Sequence, residues 1–180
     1  MQGIIYNALA EFVETTAGMA VWNEAVESSH LLSEGAFTSG QTYPDEDAVT
    51  LAVFVANKLE LELPDALRAF GKFLFGFLLD RVPLGVKEFK STQDLLASLN
   101  GTIHAEVNRL HPDAYTPIIN YLPESESKGV IVYRSKRKLC SIAEGLILGA
   151  AEHYGQQVRM KHTRCMHDGA EDCRWIIAFN

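Results

Sequence analysis

Apolar residues recur along the first 115 positions with a helical period. In Met1–Thr16, Ile4, Ile5, Ala8, Phe12 and Val13 fall on one helical face, and Gly18 closes the run. Met19–Ser28 reads as a second, short helix. Pro44-Asp45-Glu46-Asp47 places a proline and three carboxylates before an apolar run to Leu59, where they complement the positive end of a helix dipole. Pro64-Asp65 repeats that signal for a helix to about Leu79, and Asp80–Phe89, with Pro83 and Gly85, is expected to be a loop. Ser91-Thr92-Gln93-Asp94 resembles a capping box for a helix to Leu99. Asn100-Gly101 punctuates it, and a short helix follows from Thr102 to Leu110, before Pro112.

Beyond residue 115 the period shortens to two. Ile118–Leu122 and Gly129–Ser135 are rich in strand formers and flank a polar turn, Pro123–Lys128. Leu139–Tyr154 is helical and closed by Gly155. Gln157–Arg164 and Cys173–Phe179 read as two strands joined around Asp168-Gly169. The prediction is an α+β fold in one domain spanning 1–180. A helical lobe of about residues 1–115 leads into a ββαββ lobe of about 116–180 with a mainly antiparallel sheet. No internal repeat or low-complexity segment interrupts it.

Composition narrows the function. Sixteen Lys and Arg against 23 Asp and Glu give −7, which argues against binding nucleic acid or an anionic membrane. The longest uncharged apolar stretches, Ala48–Asn57 and Phe73–Leu79, are too short to span a bilayer. The first 18 residues carry Glu11 and Glu14 and lack the basic start of a secretory signal. Three cysteines are too few for a disulfide framework. A cytoplasmic protein is expected, with thiols free or holding metal. No nucleophile has a credible base and no glycine-rich phosphate loop is present, so an enzyme is not expected.

Two features carry chemistry. In Val132–Arg137, strand alternation would put Tyr133, Ser135 and Arg137 on one face, two hydroxyls and a guanidinium fork suited to carboxylates. Arg134, Lys136 and Lys138 would point to solvent. The next helix carries Ile142, Leu146 and Gly149 as one stripe, the glycine permitting close approach, so a flat ligand with an apolar body and acidic tails would fit. Haem, with two propionates, is such a ligand, and its iron needs an axial residue, usually histidine. Of six histidines, His104 sits among Ile103, Ala105 and Val107 on a short helix, whereas His30, His111 and His153 lie at helix ends. On spacing alone, a lone histidine on an apolar helix is more often a satisfied core residue than a ligand. Cys140, His162, Cys165 and Cys173 make up the second feature, a Cys3His set with the H-x2-C pair at a strand end. Spacing leaves them open between structural zinc, a redox pair and small core residues, with His167 as a competing ligand.

The opening Met1-Gln2-Gly3-Ile4-Ile5, His104, Pro117 thirteen residues on, and the Tyr133-x-Ser135-x-Arg137 signature together resemble the haem nitric oxide/oxygen-binding (H-NOX) domains, relatives of the haem domain of soluble guanylate cyclase. The resemblance covers essentially all 180 residues. It implies haem b between the two lobes, with His104 as iron ligand, Tyr133, Ser135 and Arg137 on the propionates, and Pro117 pressing on the porphyrin. Oxygen-binding members place a distal tyrosine where this chain has Ile142. The matching first-helix position is Leu9, and Ile5 and Leu146 would flank the gas. The resemblance thus implies a sensor of NO that also takes CO and excludes O2. It signals to a separate partner, often a histidine kinase or a cyclic-di-GMP enzyme. A subset of the family carries a Cys3His zinc site in this hairpin. The competing reading is a zinc-containing redox or small-molecule regulatory domain without gas sensing.

Overall fold

The computed structural model describes residues 1–33, 35–81 and 89–180. The helical half holds α1 (Gly3–Thr16), α2 (Met19–Ser28), α3 (Asp45–Lys58), α4 (Leu63–Arg81), α5 (Thr92–Ser98) and α6 (Ala105–Leu110). Positions 82–88 of the expected loop lie outside the described residues, and α4 itself runs on to Arg81. Helix α5 starts as its sequence requires, with the Ser91 side chain accepting from the Asp94 N–H. Tyr6, Leu9, Phe12 and Val13 of α1, Leu51 and Val55 of α3, and Phe70, Leu74 and Phe77 of α4 bury one apolar cluster.

The second half is β1 (Ile118–Ser125), β2 (Lys128–Arg134), α7 (Cys140–His153), β3 (Val158–Arg164) and β4 (Cys173–Phe179). The strands form an antiparallel sheet in the order β1-β2-β4-β3. The class is α+β, as the change of period implies. One face of the sheet, with Ile131, Tyr133, Trp175, Ile177 and Phe179, packs on Cys140, Ala143 and Ile147 of α7. Leu146 belongs at once to the α1–α4 cluster and to a third one built of Phe75, Leu95, Ile103 and Ala150.

Four local expectations change. Strand β1 continues through Pro123 to Ser125, leaving only Glu126-Ser127 as the turn, because β1 is an edge strand where proline's missing N–H costs nothing and a bulge absorbs the misfit. Strand β2 stops at Arg134, so Ser135 and Arg137 lie beyond it. Asn100-Gly101 does not break the chain: Leu99–His104 forms a π-helical segment joining α5 to α6. Gly149 approaches α4 rather than a ligand. A Cβ there would come 2.8 Å from the Lys72 carbonyl oxygen and from Phe75.

Candidate functional site

His104 ends the π-helical segment, next to buried Ile103. Its Nδ1 is buried without a hydrogen-bond partner among the described residues. Burial pushes the imidazole below the ordinary histidine range, and the nearby Pro117 backbone works the other way. The ring is therefore neutral at pH 7, the state in which its nitrogens ligate. A buried imidazole nitrogen without a regular hydrogen bond is costly in a merely structural histidine, and a neutral ring in that setting is compatible with ligation.

The segment is fixed to the sheet by a residue the sequence pattern disguised. Asn100, one turn before His104, donates to the Ile119 carbonyl at 2.6 Å and accepts from the Ile119 N–H at 3.1 Å. It also donates to Asn120 Oδ1 at 3.0 Å. Its amide thus completes the edge of β1 as a neighbouring strand would. Asn-Gly reads locally as a turn, and only the four-residue offset from His104 hinted at more.

Tyr133 and Ser135 are buried, while Arg134, Lys136 and Lys138 are exposed, so the alternation outlasts the strand itself. The Tyr133 hydroxyl is hydrogen-bonded with Ser135 and accepts from the Leu139 N–H at 3.0 Å. Burial pushes this phenol up to about 12, so it stays a neutral donor. Arg137, in the turn after β2, donates through Nε to Asp45 at 2.7 Å and through Nη1 to the Tyr115 carbonyl at 2.7 Å. Asp45, at the start of α3, also meets the Met1 ammonium at 2.8 Å. Burial pushes its carboxyl up. Arg137 and the ammonium outweigh that and hold it below the ordinary carboxylate range. The guanidinium fork therefore already binds a carboxylate, which fits it to an acidic ligand group.

Ile5 and Leu9 of α1 and Ile142 and Leu146 of α7 meet in one apolar cluster. Its two tyrosines are committed elsewhere. Tyr6 donates to the Pro44 carbonyl, and Tyr43 bonds the Thr38 N–H and Gln41. Tyr154 packs instead in the cluster around Ile103.

Cys140, Cys165 and Cys173 converge, their sulfurs all within 4.8 Å of one another. Cys165 lies 4.0 Å from Cys140 and 3.9 Å from Cys173, too far for disulfides. Those spacings are near the edge of a tetrahedron of sulfurs around zinc, about 3.8 Å for bonds of ~2.3 Å. The Met166 and His167 N–H groups point at Cys173 and Cys165 sulfurs, at 3.3 and 3.4 Å, as suits thiolates. Burial, with the other two sulfurs adding, pushes the Cys140 thiol up to about 12, so without a cation it keeps its proton. His162 does not join them: its ring stacks on Trp175 at 4.8 Å and its Nδ1 lies 3.3 Å from Glu144. The expected Cys3His set is thus three converging sulfurs, the imidazole being drawn to a buried carboxylate. Glu144 in turn ties Arg68 of α4 and the Trp175 indole N–H. His167 bonds the Lys138 carbonyl at 2.8 Å.

Comparison with known proteins returns one family and one fold. The haem-NO-binding family model matches residues 2–162. That span stops short of Cys165 and Cys173, so it lends nothing to the cysteine cluster. An H-NOX protein from S. oneidensis in its Fe(II)NO state is 35% identical, with a TM-score of 0.94, covering 100% of this chain and 99% of that one. The H-NOX domain of Shewanella oneidensis in its Fe(II)CO state is 35% identical at a TM-score of 0.91, with the same coverage. The unliganded Fe(II) H-NOX protein from K. algicida is 26% identical at 0.90, covering 100% and 97%.

Proposed function

This chain belongs to the haem-NO-binding, or H-NOX, family, and from that premise we propose that it is a sensor of nitric oxide that also takes CO, excludes O2 and signals to a separate protein. The observation that carries the reading is the buried, unpartnered Nδ1 of His104 beside the Leu146 cluster. Haem b, once bound, supplies a ferrous iron that takes up the gas. His104 holds that iron with a neutral imidazole, and Pro117 bears on the porphyrin. Tyr133, Ser135 and Arg137 hold the propionates, Arg137 exchanging its hold on Asp45. Ile5, Leu9, Ile142 and Leu146 line the gas side with no hydroxyl. O2, which gains negative charge on binding, finds no donor there, and NO and CO need none. The segment from His104 through α6 would be the part free to shift if the hold on the iron changed, because α6 has no buried residue. Asn100 passes that shift to β1. The whole of 1–180 acts as one unit in the cytoplasm, without catalysis of its own, on a histidine kinase or a cyclic-di-GMP enzyme.

The test is an absorption spectrum. Ferrous protein should show a Soret band that moves with NO or CO and stays unchanged in air. His104→Gly should lose most haem unless imidazole is supplied. An unchanged ferrous spectrum in that variant overturns the axial assignment, and a stable oxy spectrum in the wild type overturns O2 exclusion.

The cysteine cluster is the second part of the proposal. Cys140, Cys165 and Cys173 hold zinc, with His162 turning from Glu144 to complete the set. Metal analysis should find about one zinc per chain, absent in Cys165→Ala and released on acidification, because thiolates must be deprotonated to ligate. Colourless protein with tight zinc would favour the redox-domain reading instead.

A further inference from the structure

Helix α7 and its cluster cover one face of the sheet. Antiparallel partners share a face, so the register defines the other one. Leu122, Val130, Ile176 and Lys161 form a row across all four strands. Asn120, Val132, Arg174 and Arg164 form the next, and Ile118 stands opposite Arg134. Among the described residues none of these outward side chains belongs to a buried cluster, and Ile118, Leu122 and Ile176 are 54%, 53% and 46% exposed. A row of large apolar side chains open to water on one strand after another is a contiguous patch, not scattered exposure.

The face also departs from the rest of the molecule in charge. In a chain of −7 it carries Lys128, Arg134, Arg159, Lys161, Arg164 and Arg174. Asp172, bonded by Arg164 and Arg174, offsets one of them, and Glu124 stands at the margin.

We propose that this open face is the docking surface for the protein that reads the gas signal, and that the partner presents an acidic surface with an apolar centre. The inference rests on the partner-signalling reading above. An apolar centre within a charged rim is the anatomy of a protein interface, and the cations select and steer an acidic partner. A nucleic acid fits less well: the outward rows carry no aromatic ring for bases to stack on, and the chain's net charge repels phosphates. A second copy fits less well too. Two-fold pairing would press these cations against their own kind. Four strands at ~4.8 Å and seven residues at ~3.4 Å give roughly 450 Å2, little more than half of the ~800 Å2 per partner of a standard stable interface. The position suits a reporter: β1, the first strand of this face, is the strand that Asn100 ties to the His104 segment.

The test places the photoreactive residue benzoylphenylalanine at Leu122 or Ile176, with Val53 on α3 as the control position, in protein made in its native cell with and without NO. Mass spectrometry identifies what is captured. The sheet positions should capture one protein, through a segment rich in Asp and Glu. The yield should fall at least tenfold in Arg134→Glu/Lys161→Glu with the Soret band unchanged. The proposal is overturned if the sheet positions capture nothing, capture nucleic acid or a second copy of the chain, or capture a protein whose yield survives the charge reversal. Capture from Val53 alone leaves partner signalling standing and moves the face. No protein from either face removes partner signalling as well.

Discussion

Two contacts made by α7 and by the His104 segment are built on opposite plans. Helices α4 and α7 meet backbone to backbone. A Cβ on Gly71 would lie 2.3 Å from the Ile142 carbonyl oxygen, and one on Gly145 would lie 2.1 Å from that of Arg68. Arg68 to Glu144 and Lys72 to Glu152 close the same seam. The segment from Leu99 to Leu110 buries Ile103 alone, and three side-chain bonds from Asn100 hold it to the sheet. One contact allows no adjustment, because side chains that could repack are absent. The other is a few replaceable hydrogen bonds on a half-open helix. The proposed sensing would need both: a frame that fixes Ile142 and Leu146, and a lightly held element that carries His104.

If the frame is rigid, a single methyl group should break it. Gly145→Ala forces a Cβ into the Arg68 carbonyl and to 2.8 Å from Gly71 Cα, and neither is a flexible side-chain end that can give way. Overpacking typically costs ~1–3 kcal/mol, and this contact belongs at or above the upper end. Chemical denaturation should show a loss of about 3 kcal/mol or failure to fold. A loss under about 1 kcal/mol would mean that α4 and α7 can separate freely, and the contrast would collapse.

The lightly held element should respond differently. Asn100→Ala removes its bonds to Ile119 and Asn120, and leaves the Ile119 N–H and carbonyl at an uncapped sheet edge that water can reach. The expected loss is about 1–2 kcal/mol. Hydrogen exchange should sharpen the comparison, since the Ile119 amide should exchange faster while amides of α4 and α7 stay protected. Uniform acceleration across both regions would show that the segment is part of the frame.

Much of this division could be read from the chain. Periodicity located the helices and strands because amphipathic burial is local information: α2 and β4 fall at the expected residues. What escaped were features set by partners distant in sequence. Asn-Gly signals a turn, but Asn100 finds the edge of β1 19 residues away and the helix continues as a π segment. Gly149 looked like room for a ligand, whereas Phe75 and Lys72 fill that room. His162 had the spacing of a metal ligand, and the buried Glu144 that draws it lies on another element. Asp45 read as a helix start, and its bond to Arg137 spans 92 positions.

That last pair supplies the smallest effect and the finest probe, because it ties the start of α3 to the turn after β2. Asp45 is held below the ordinary carboxylate value of 3.8 by Arg137 and the Met1 ammonium, which outweigh the cost of burial. A carboxylate whose pKa is lowered by folding adds stability above its unfolded pKa, and that stability fades as pH falls through the folded value. Asp45 is a third exposed, so solvent screens the pair and the contribution should stay below about 1 kcal/mol. Asp45→Asn should therefore unfold slightly earlier than wild type from neutral pH down to about 4, with the difference closing in more acid solution. The substitution should also free the Arg137 fork, so haem uptake should be unimpaired or faster even as the fold weakens. If the difference between the two proteins were the same at pH 3 as at pH 7, the bond would be a neutral packing contact. Arg137 would then hold α3 by its alkyl stem, and the turn after β2 would belong with the rigid seam and not with the parts that move.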